Sequence, residues 1–337
     1  MNNKFKNILN EIKQEIKNNY LFYLIIIIIL LSNIISFDYE VYSPGKLENL
    51  NDRIIVDNKE EIDGSYNLTY VTARKGTIFN LLLAYILPSW DIVSLDESRV
   101  ENESSKDIIE RGKVYLKQTS YDAVVAAFKE ANKEYKIENE NLMISYIYDI
   151  ADTNLKIGDI IKKVNGTNVS NFDELKNIIS KYKENDKIEI EVLRDKKKVN
   201  CYSILKSKDN KLLIGVALAE LKDVKTSPKV EYVFKNNESG SSRGLLCALL
   251  IYDKINDYDL SRGRVISGTG TIDENGVIGE ISGVKYKILG ADKKKADVFI
   301  VPSANYKEAV KVKKDNNWDI KIIKANTLND AIKELKK

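Results

Sequence analysis

The chain has 337 residues, 43% of them hydrophobic, and a net charge of only +3 from 53 basic and 50 acidic side chains. That length allows two or so folded domains with real cores, and charge so evenly mixed makes no case for nucleic-acid binding. There is no histidine, so every Ser-His-Asp triad, Cys-His pair and His-dependent zinc protease is excluded whatever the fold. Two cysteines, Cys201 and Cys247, are too few for a disulfide framework, and both read as buried free thiols.

In chain order, residues 1–19 are polar and carry Lys4, Lys6, Lys13 and Lys17, whereas residues 20–37 are almost wholly apolar. The apolar run is close to the length of a bilayer crossing. It lacks a small-X-small cleavage site, and Asp38 and Glu40 follow it directly, which argues against a removed signal peptide. With no polar face it is also unlike a core helix. Lysines before the span and acids after it predict a single-pass anchor with the N-terminus inside and the body outside.

The Pro44-Gly45 step within residues 42–47 predicts a turn, and strands are expected at 53–56 and 66–72. Residues 78–86 read as a short helix ended near Pro88. Its apolar side, with Trp90, Ile92 and Val93, suits either the core or a membrane surface, and the sequence does not choose. Residues 97–107, acidic and serine-rich, predict an exposed loop; residues 121–131 predict an ordinary packing helix. The Asn67-Leu68-Thr69 triplet carries weight only in a glycosylating pathway.

Residues 135–207 read as a small β-rich module. Strand patterns at 143–148 and 188–193 bracket an Asn165-Gly166 turn and a helical period over 172–182 with Leu175, Ile178 and Ile179 on one face. This order, with Leu155-Lys156-Ile157-Gly158-Asp159-Ile160-Ile161, resembles a bacterial PDZ domain. The resemblance implies an extended peptide bound at a sheet edge, with residues 138–142 as the carboxylate-binding loop. A scaffold module without a ligand is the alternative. Strands at 212–219 and 230–234 are expected to lead from it towards the next block. Beyond residue 287, strands at 296–301 and 320–323 alternate with helices at 306–312 and 328–335, which predicts a mixed α/β domain.

Between those strands and the last α/β segment lies Glu238-Ser239-Gly240-Ser241-Ser242-Arg243-Gly244, followed by an apolar helical run to Ile255. Such a loop brings a serine hydroxyl beside the free N–H groups of a helix start, where an oxyanion can be held. The plain alternative is that Ser242 is a helix N-cap. Without histidine, the base for a serine nucleophile would be a buried, neutral lysine. Lys287, after Gly283-Val284 and before Ile288-Leu289, is the best placed.

The block from Gly244 through Arg262-Gly263, Gly268-Thr269-Gly270, Gly276, Gly279 and Gly283 to Lys287 resembles the proteolytic domain of Lon-type serine proteases. The whole chain resembles the membrane-anchored, PDZ-containing Lon-like proteases of Gram-positive bacteria. Their nucleophile lies in Pro-Ser-Ala-Gly and their lysine ends Gly-Gly-hydrophobic-X-X-Lys, which implies Ser242 and Lys287 as the dyad, Lys285 as a bystander and Thr269 as its hydrogen-bonding support. Ser241, Arg243 and Ser282 depart from the pattern, standing for Pro, Ala and the first Gly.

The resemblance implies five segments: cytoplasmic 1–19, transmembrane 20–37, 38–134 lending strands to the protease domain, PDZ 135–207 and proteolytic 208–337. The fold class expected is a discontinuous α/β (α+β) Lon-type domain with an inserted PDZ domain and one transmembrane helix. No Gly-X-X-X-X-Gly-Lys-Ser/Thr sequence is present, so the activity implied is ATP-independent serine endopeptidase action on extracytoplasmic peptides or exposed protein segments. No cofactor, metal or nucleic-acid partner is expected, and self-association stays open. The competing reading, prompted by Ser241 and Arg243, is a proteolytically inactive, membrane-tethered PDZ adaptor.

Overall fold

The computed structural model describes residues 2–57, 62–99, 103–235, 238–256, 258–293 and 295–337. They form two compact units, residues 1–44 with 71–101, and residues 45–70 with 102–337. The long strands Ser36–Asn49 and Ser65–Thr77 contribute to both.

In the first unit the polar N-terminus is itself helical, α1 (Asn2–Asn18). Phe5, Ile8, Ile12 and Ile16 are all exposed on it, and their spacing gathers them on one face. Helix α2 (Tyr20–Ile34) has 15 residues and no buried side chain. It stops at Ile34, because Ile35 is extended and its N–H returns to Leu31 O, and residues 36 and 37 already belong to a strand. The apolar helix is therefore shorter than the expected 20–37 span. No single described helix is long and apolar enough to cross a membrane; residues 10–18 and α2 meet that test only as a pair bent by 83°.

Helix α3 (Ile78–Ile86) is capped by Thr77, whose hydroxyl accepts from Asn80 N–H. Only Ala84 of it is buried, and Leu82, Tyr85 and Ile86 are exposed. Strand Asp91–Ser94 pairs antiparallel with Tyr39 through Tyr42 and runs into the short helix α4 (Leu95–Ser98). The turn expected at 42–47 is absent: Ser36–Asn49 runs straight through Pro44-Gly45. Gly45 permits this, since a Cβ there would lie 2.6 Å from Tyr70 O on the neighbouring strand.

In the second unit, Lys321–Ala325, Val298–Pro302, Val265–Gly268 and the first half of Ser65–Thr77 form parallel ladders in that order. Side chains alternate across this sheet as period two requires. Ile266, Val298, Ile300 and Ile323 join a core under α5 (Ser105–Glu130), α7 (Gly244–Ile255) and α10 (Leu328–Lys336). On the opposite face Val265, Phe299, Val301 and Ile322 pack with α8 (Val284–Asp292) and α9 (Tyr306–Asp315). The sheet thus draws strands from both sides of the β-rich module in sequence.

The 97–107 segment is largely not an exposed loop. Residues 97–98 are in α4, residues 100–102 lie outside the described residues, and Glu103 is buried against Arg111 at 2.6 Å. Ser104 then starts α5 with a capping box closed by Asp107. The packing helix expected at 121–131 is the last part of this 26-residue element.

The β-rich module orders its strands Val216–Thr226, Tyr135–Ile147, Ile160–Val164, Lys187–Arg194, Lys197–Ile204 and Asp152–Thr153, with helix α6 (Phe172–Ile179) on its core. Asn165 and Gly166 both take positive φ, as the two-residue turn between Val164 and Thr167 demands. Asp159 of the Gly-Asp-Ile-Ile motif is 1% exposed and holds Arg194 through two hydrogen bonds. Strand Val216–Thr226 pairs along its length with Tyr135–Ile147, so the module's sheet runs past residue 207 and the strand expected at 212–219 belongs to it. Strand Val230–Tyr232 pairs with Ile54–Val56 instead. Both cysteines are free and buried, and burial pushes the Cys247 thiol up to about 12. Asn67 is buried within its strand, its amide on Ser65 Oγ.

Candidate active site

Ser242 lies in the turn entering α7 and is not its N-cap. The cap position is Arg243, in αR conformation and without a side-chain capping bond. The loop is instead held by α5. Gly112 O accepts from Gly240 N–H at 2.8 Å, and Thr119 Oγ1 donates to Ser241 O at 3.3 Å. Gly244 lets the two helices approach: a Cβ there would sit 2.4 Å from Thr119 Oγ1 and 2.9 Å from Ile272 N. Sequence reasoning missed this role of α5, although Gly112 in an otherwise helical stretch was a usable signal.

Opposite, α8 starts from Gly283 in the left-handed region at φ 76°. Only this second position of the family's glycine pair needs that conformation, which explains why exposed Ser282 is tolerated at the first. Lys287 is 5% exposed and has no carboxylate partner among the described residues. Its ammonium donates to Thr269 Oγ1 at 3.0 Å. Thr269 Oγ1 in turn donates to the Ser242 carbonyl at 3.2 Å, and Gly270 N–H donates to the same oxygen at 2.9 Å. Burial alone lowers the Lys287 pKa to about 8, because the charged form loses its solvation. Thr269 therefore touches both of the other expected residues, the Lys287 amine on one side and the Ser242 carbonyl on the other. Lys285 stands apart, its ammonium 5.6 Å from the Tyr286 ring centroid.

At the start of α7, Gly244 N–H is bonded to Ser241 O and Leu245 N–H to Gly270 O. Among the described residues, the N–H groups of Ser242 and Arg243 have no acceptor. They sit at the positive end of a 12-residue helix dipole, the arrangement that holds a developing oxyanion.

Arg243 does not crowd this site. Its guanidinium is buried, donates to Glu238 Oε2 at 2.8 Å and lies 4.9 Å from the Phe234 ring centroid. Arg53 approaches the other Glu238 oxygen at 3.6 Å. The large cation beside the serine is a buried ion pair turned towards Glu238 rather than towards Ser242.

A second concave surface lies on the β-rich module, a groove of about 1350 Å³. Phe172, Leu175 and Ile179 of α6 face Leu212, Val216 and Leu218 across it, with Lys176 and Lys211 at its margin. Val216–Thr226 is an edge strand of the sheet, open to pairing with an extended peptide. Residues 138–142 do not form the loop beside it, because they lie in Tyr135–Ile147, paired with Val216–Thr226 and, at Leu142, with Ile161 as well. The loop at the groove end is Leu213-Ile214-Gly215, with Gly215 at φ 77°. That glycine after an apolar run was the sequence signal passed over.

Comparison with known proteins finds two families, whose matches overlap at residues 191–202. Residues 142–202 match the PDZ domain family and residues 191–336 match the Lon protease (S16) C-terminal proteolytic domain. No curated protein matches the chain. Among solved structures, the PDZ domain of an SdrC-like protein from Listeria monocytogenes is similar at 21% identity, covering 25% of this chain and 92% of that one, with a TM-score of 0.22. A protein from Geobacillus thermodenitrificans is similar at 17% identity, covering 23% and 94%, with a TM-score of 0.21. The chain thus carries a PDZ domain joined to a Lon-type proteolytic domain, the combination of a PDZ-containing Lon-like protease.

Proposed function

We propose that the protein is an ATP-independent serine endopeptidase using a Ser242–Lys287 dyad, anchored in the cell membrane with its catalytic body outside. The observation that carries the catalytic reading is the buried, carboxylate-free Lys287 bonded to the threonine that also fixes the Ser242 main chain. Neutral Lys287 takes the Ser242 hydroxyl proton as the oxygen attacks a peptide carbonyl. The Ser242 and Arg243 N–H groups receive the oxyanion. The lysinium then protonates the departing amine, leaving an acyl-serine that water cleaves by the same proton route. The PDZ groove presents an extended segment of the substrate. This sequence holds no phosphate-binding loop, so the substrates are segments already accessible rather than unfolded by the enzyme.

The test uses the full chain in detergent micelles with casein, fragments being read by mass spectrometry. Wild type should produce fragments that Ser242→Ala does not. Equal fragmentation by both would sink the assignment.

The anchor reading is supported by α2, which buries nothing, and by the charge asymmetry around it. Helix α3 adds a second apolar surface: Ile78 N–H bonds to Ile35 O at the end of α2, and Leu82, Tyr85 and Ile86 are 60%, 89% and 64% exposed. At 1.5 Å per residue, α2 is only about 22 Å long against a hydrocarbon core of about 30 Å. Apolar residues of α3 lying at the outer surface extend that contact. The expected outcome is that the protein stays with membranes through alkaline carbonate and loses its PDZ domain to protease added outside spheroplasts. Recovery in the soluble fraction, or protection from external protease, would refute the anchor or its orientation respectively.

A further inference from the structure

Immediately beside the serine loop is a cleft of about 400 Å³ between α5 and the hairpin of Thr271–Ile272 with Ile278–Gly279. That volume falls within the range of small-ligand sites, room enough for one long side chain. One wall is a single face of α5, carrying Tyr115, Gln118, Thr119 and Asp122, spaced as helical neighbours are. Ser241, the residue before the nucleophile, lines it as well, and its carbonyl is held in place by Thr119.

The charge in this cleft is distinctive. Asp273 lines it too, but one of its oxygens is committed to its own turn, accepting from Asn275 N–H and Val277 N–H. Asp122 is only partly exposed, and its carboxylate has no hydrogen-bond or ion-pair partner among the described residues. The groups acting on it are Lys222, Glu274, Asp273 and Glu220, and the one cation among them, Lys222, is already bonded to Glu274. Burial and these acidic neighbours push Asp122 up to about 7. A desolvated carboxylate in a negative field is costly unless a cation completes it, and the nearby cation, Lys222, is engaged by Glu274 and makes no ion pair with Asp122.

We propose that this cleft is the substrate side-chain subsite next to the scissile bond, and that it selects lysine or arginine with Asp122 as the counter-ion. The inference rests on the peptidase reading above and adds the substrate class to it. A cationic side chain of the substrate residue docked at Ser242 enters over Ser241, and its head group reaches Asp122 while Tyr115 and Gln118 flank the stem. Asp122 binds substrate without taking part in bond making or breaking.

The test uses full-length protein in micelles and peptide pairs that differ only in lysine against norleucine at each position flanking a mapped cleavage site. Wild type is expected to favour lysine by at least tenfold in kcat/KM at one position. Asp122→Asn should bring that ratio close to one, and Asp122→Lys should invert it. A structural role would lower both members of the pair alike and leave the ratio unchanged. Casein cleavage with no preference for lysine, or an unchanged ratio in Asp122→Asn, overturns the subsite while the peptidase stands. A chain that cleaves nothing fails the peptidase reading, and the subsite is then read without catalysis. Butylguanidinium should lower the titration midpoint of the Asp122 carboxyl ¹³C resonance, assigned by its absence in Asp122→Asn, and a midpoint that does not move overturns the proposal.

Discussion

Replacing Lys287 with methionine is expected to abolish peptide hydrolysis while making the fold more stable at neutral pH. The two effects have one origin. Lys287 sits in a place where its charge is not solvated and not paired, so its pKa falls from 10.5 to about 8. A depressed lysine pKa means that the unfolded chain binds more protons than the native state between those values. Native stability therefore rises as pH climbs through that window, and below about 8 the burial cost is present in full. At roughly 1.4 kcal/mol per pKa unit, methionine of similar shape should recover on the order of 3 kcal/mol at pH 7. Activity moves oppositely: loss of the base should cost roughly ten-thousand-fold or more in kcat/KM, as for other activated serines. In the wild type kcat/KM should climb with pH through about 8 as the amine loses its proton. Thermal melts and initial rates across pH 6–10, taken as roughly the span bracketing that titration, check both halves. Methionine activity within tenfold of wild type would remove Lys287 from the mechanism.

Gly244→Ala should damage catalysis more than its single methyl group implies. The added Cβ would lie 2.4 Å from Thr119 Oγ1 and 2.9 Å from the Ile272 backbone nitrogen, distances that force something to shift. Thr119 can turn, but the Ile272 nitrogen belongs to the strand that frames the site, so α7 and its leading serine must move instead. Displacing a nucleophile by about 1 Å costs on the order of a hundredfold, and the overpacking destabilises by about 1–3 kcal/mol. The expected signature is a large fall in kcat with KM nearly unchanged. The companion change Thr119→Ala relieves one of the two clashes and should restore part of the rate. An alanine variant with wild-type kcat would mean that the α5–α7 contact does not position Ser242.

These two residues also mark how much could be read from the chain before its fold was known. The nearness of Lys287 to Thr269 was legible because the glycine-punctuated block around them is local in sequence and resembles a known domain. The Asn165-Gly166 turn and the last helix were legible for the same reason, their chemistry being complete within a few residues. What escaped depends on partners far away. Helix α5 packs one side on α7 and another on the PDZ sheet through Val114 against Met143 and Leu221, so no single apolar stripe announces its first half. Pro44-Gly45 carries the local signal of a turn, and only pairing with a strand across from Tyr70 overrides it. Arg243 looked like an obstruction because its acceptor, Glu238, can be assigned only once the loop is folded. In sequence the strand Val216–Thr226 reads as part of the following domain, because it comes after the hairpin that ends the recognisable PDZ pattern, yet it pairs into that sheet.

The split origin of the protease sheet sets the order in which the molecule can mature. Val265 pairs with Ser65 and Gly268 with Leu68, so the early strand waits, unmatched on that side, while the ribosome makes everything between them. Closing so distant a contact is slow for a bare chain, but the PDZ sheet is complete at residue 226, and forming it brings the two ends of its own segment together, Tyr135 beside Thr226. Ser242 and Lys287 both follow it. A chain that stops after residue 226 can thus own a finished PDZ sheet and groove before either Ser242 or Lys287 has been made.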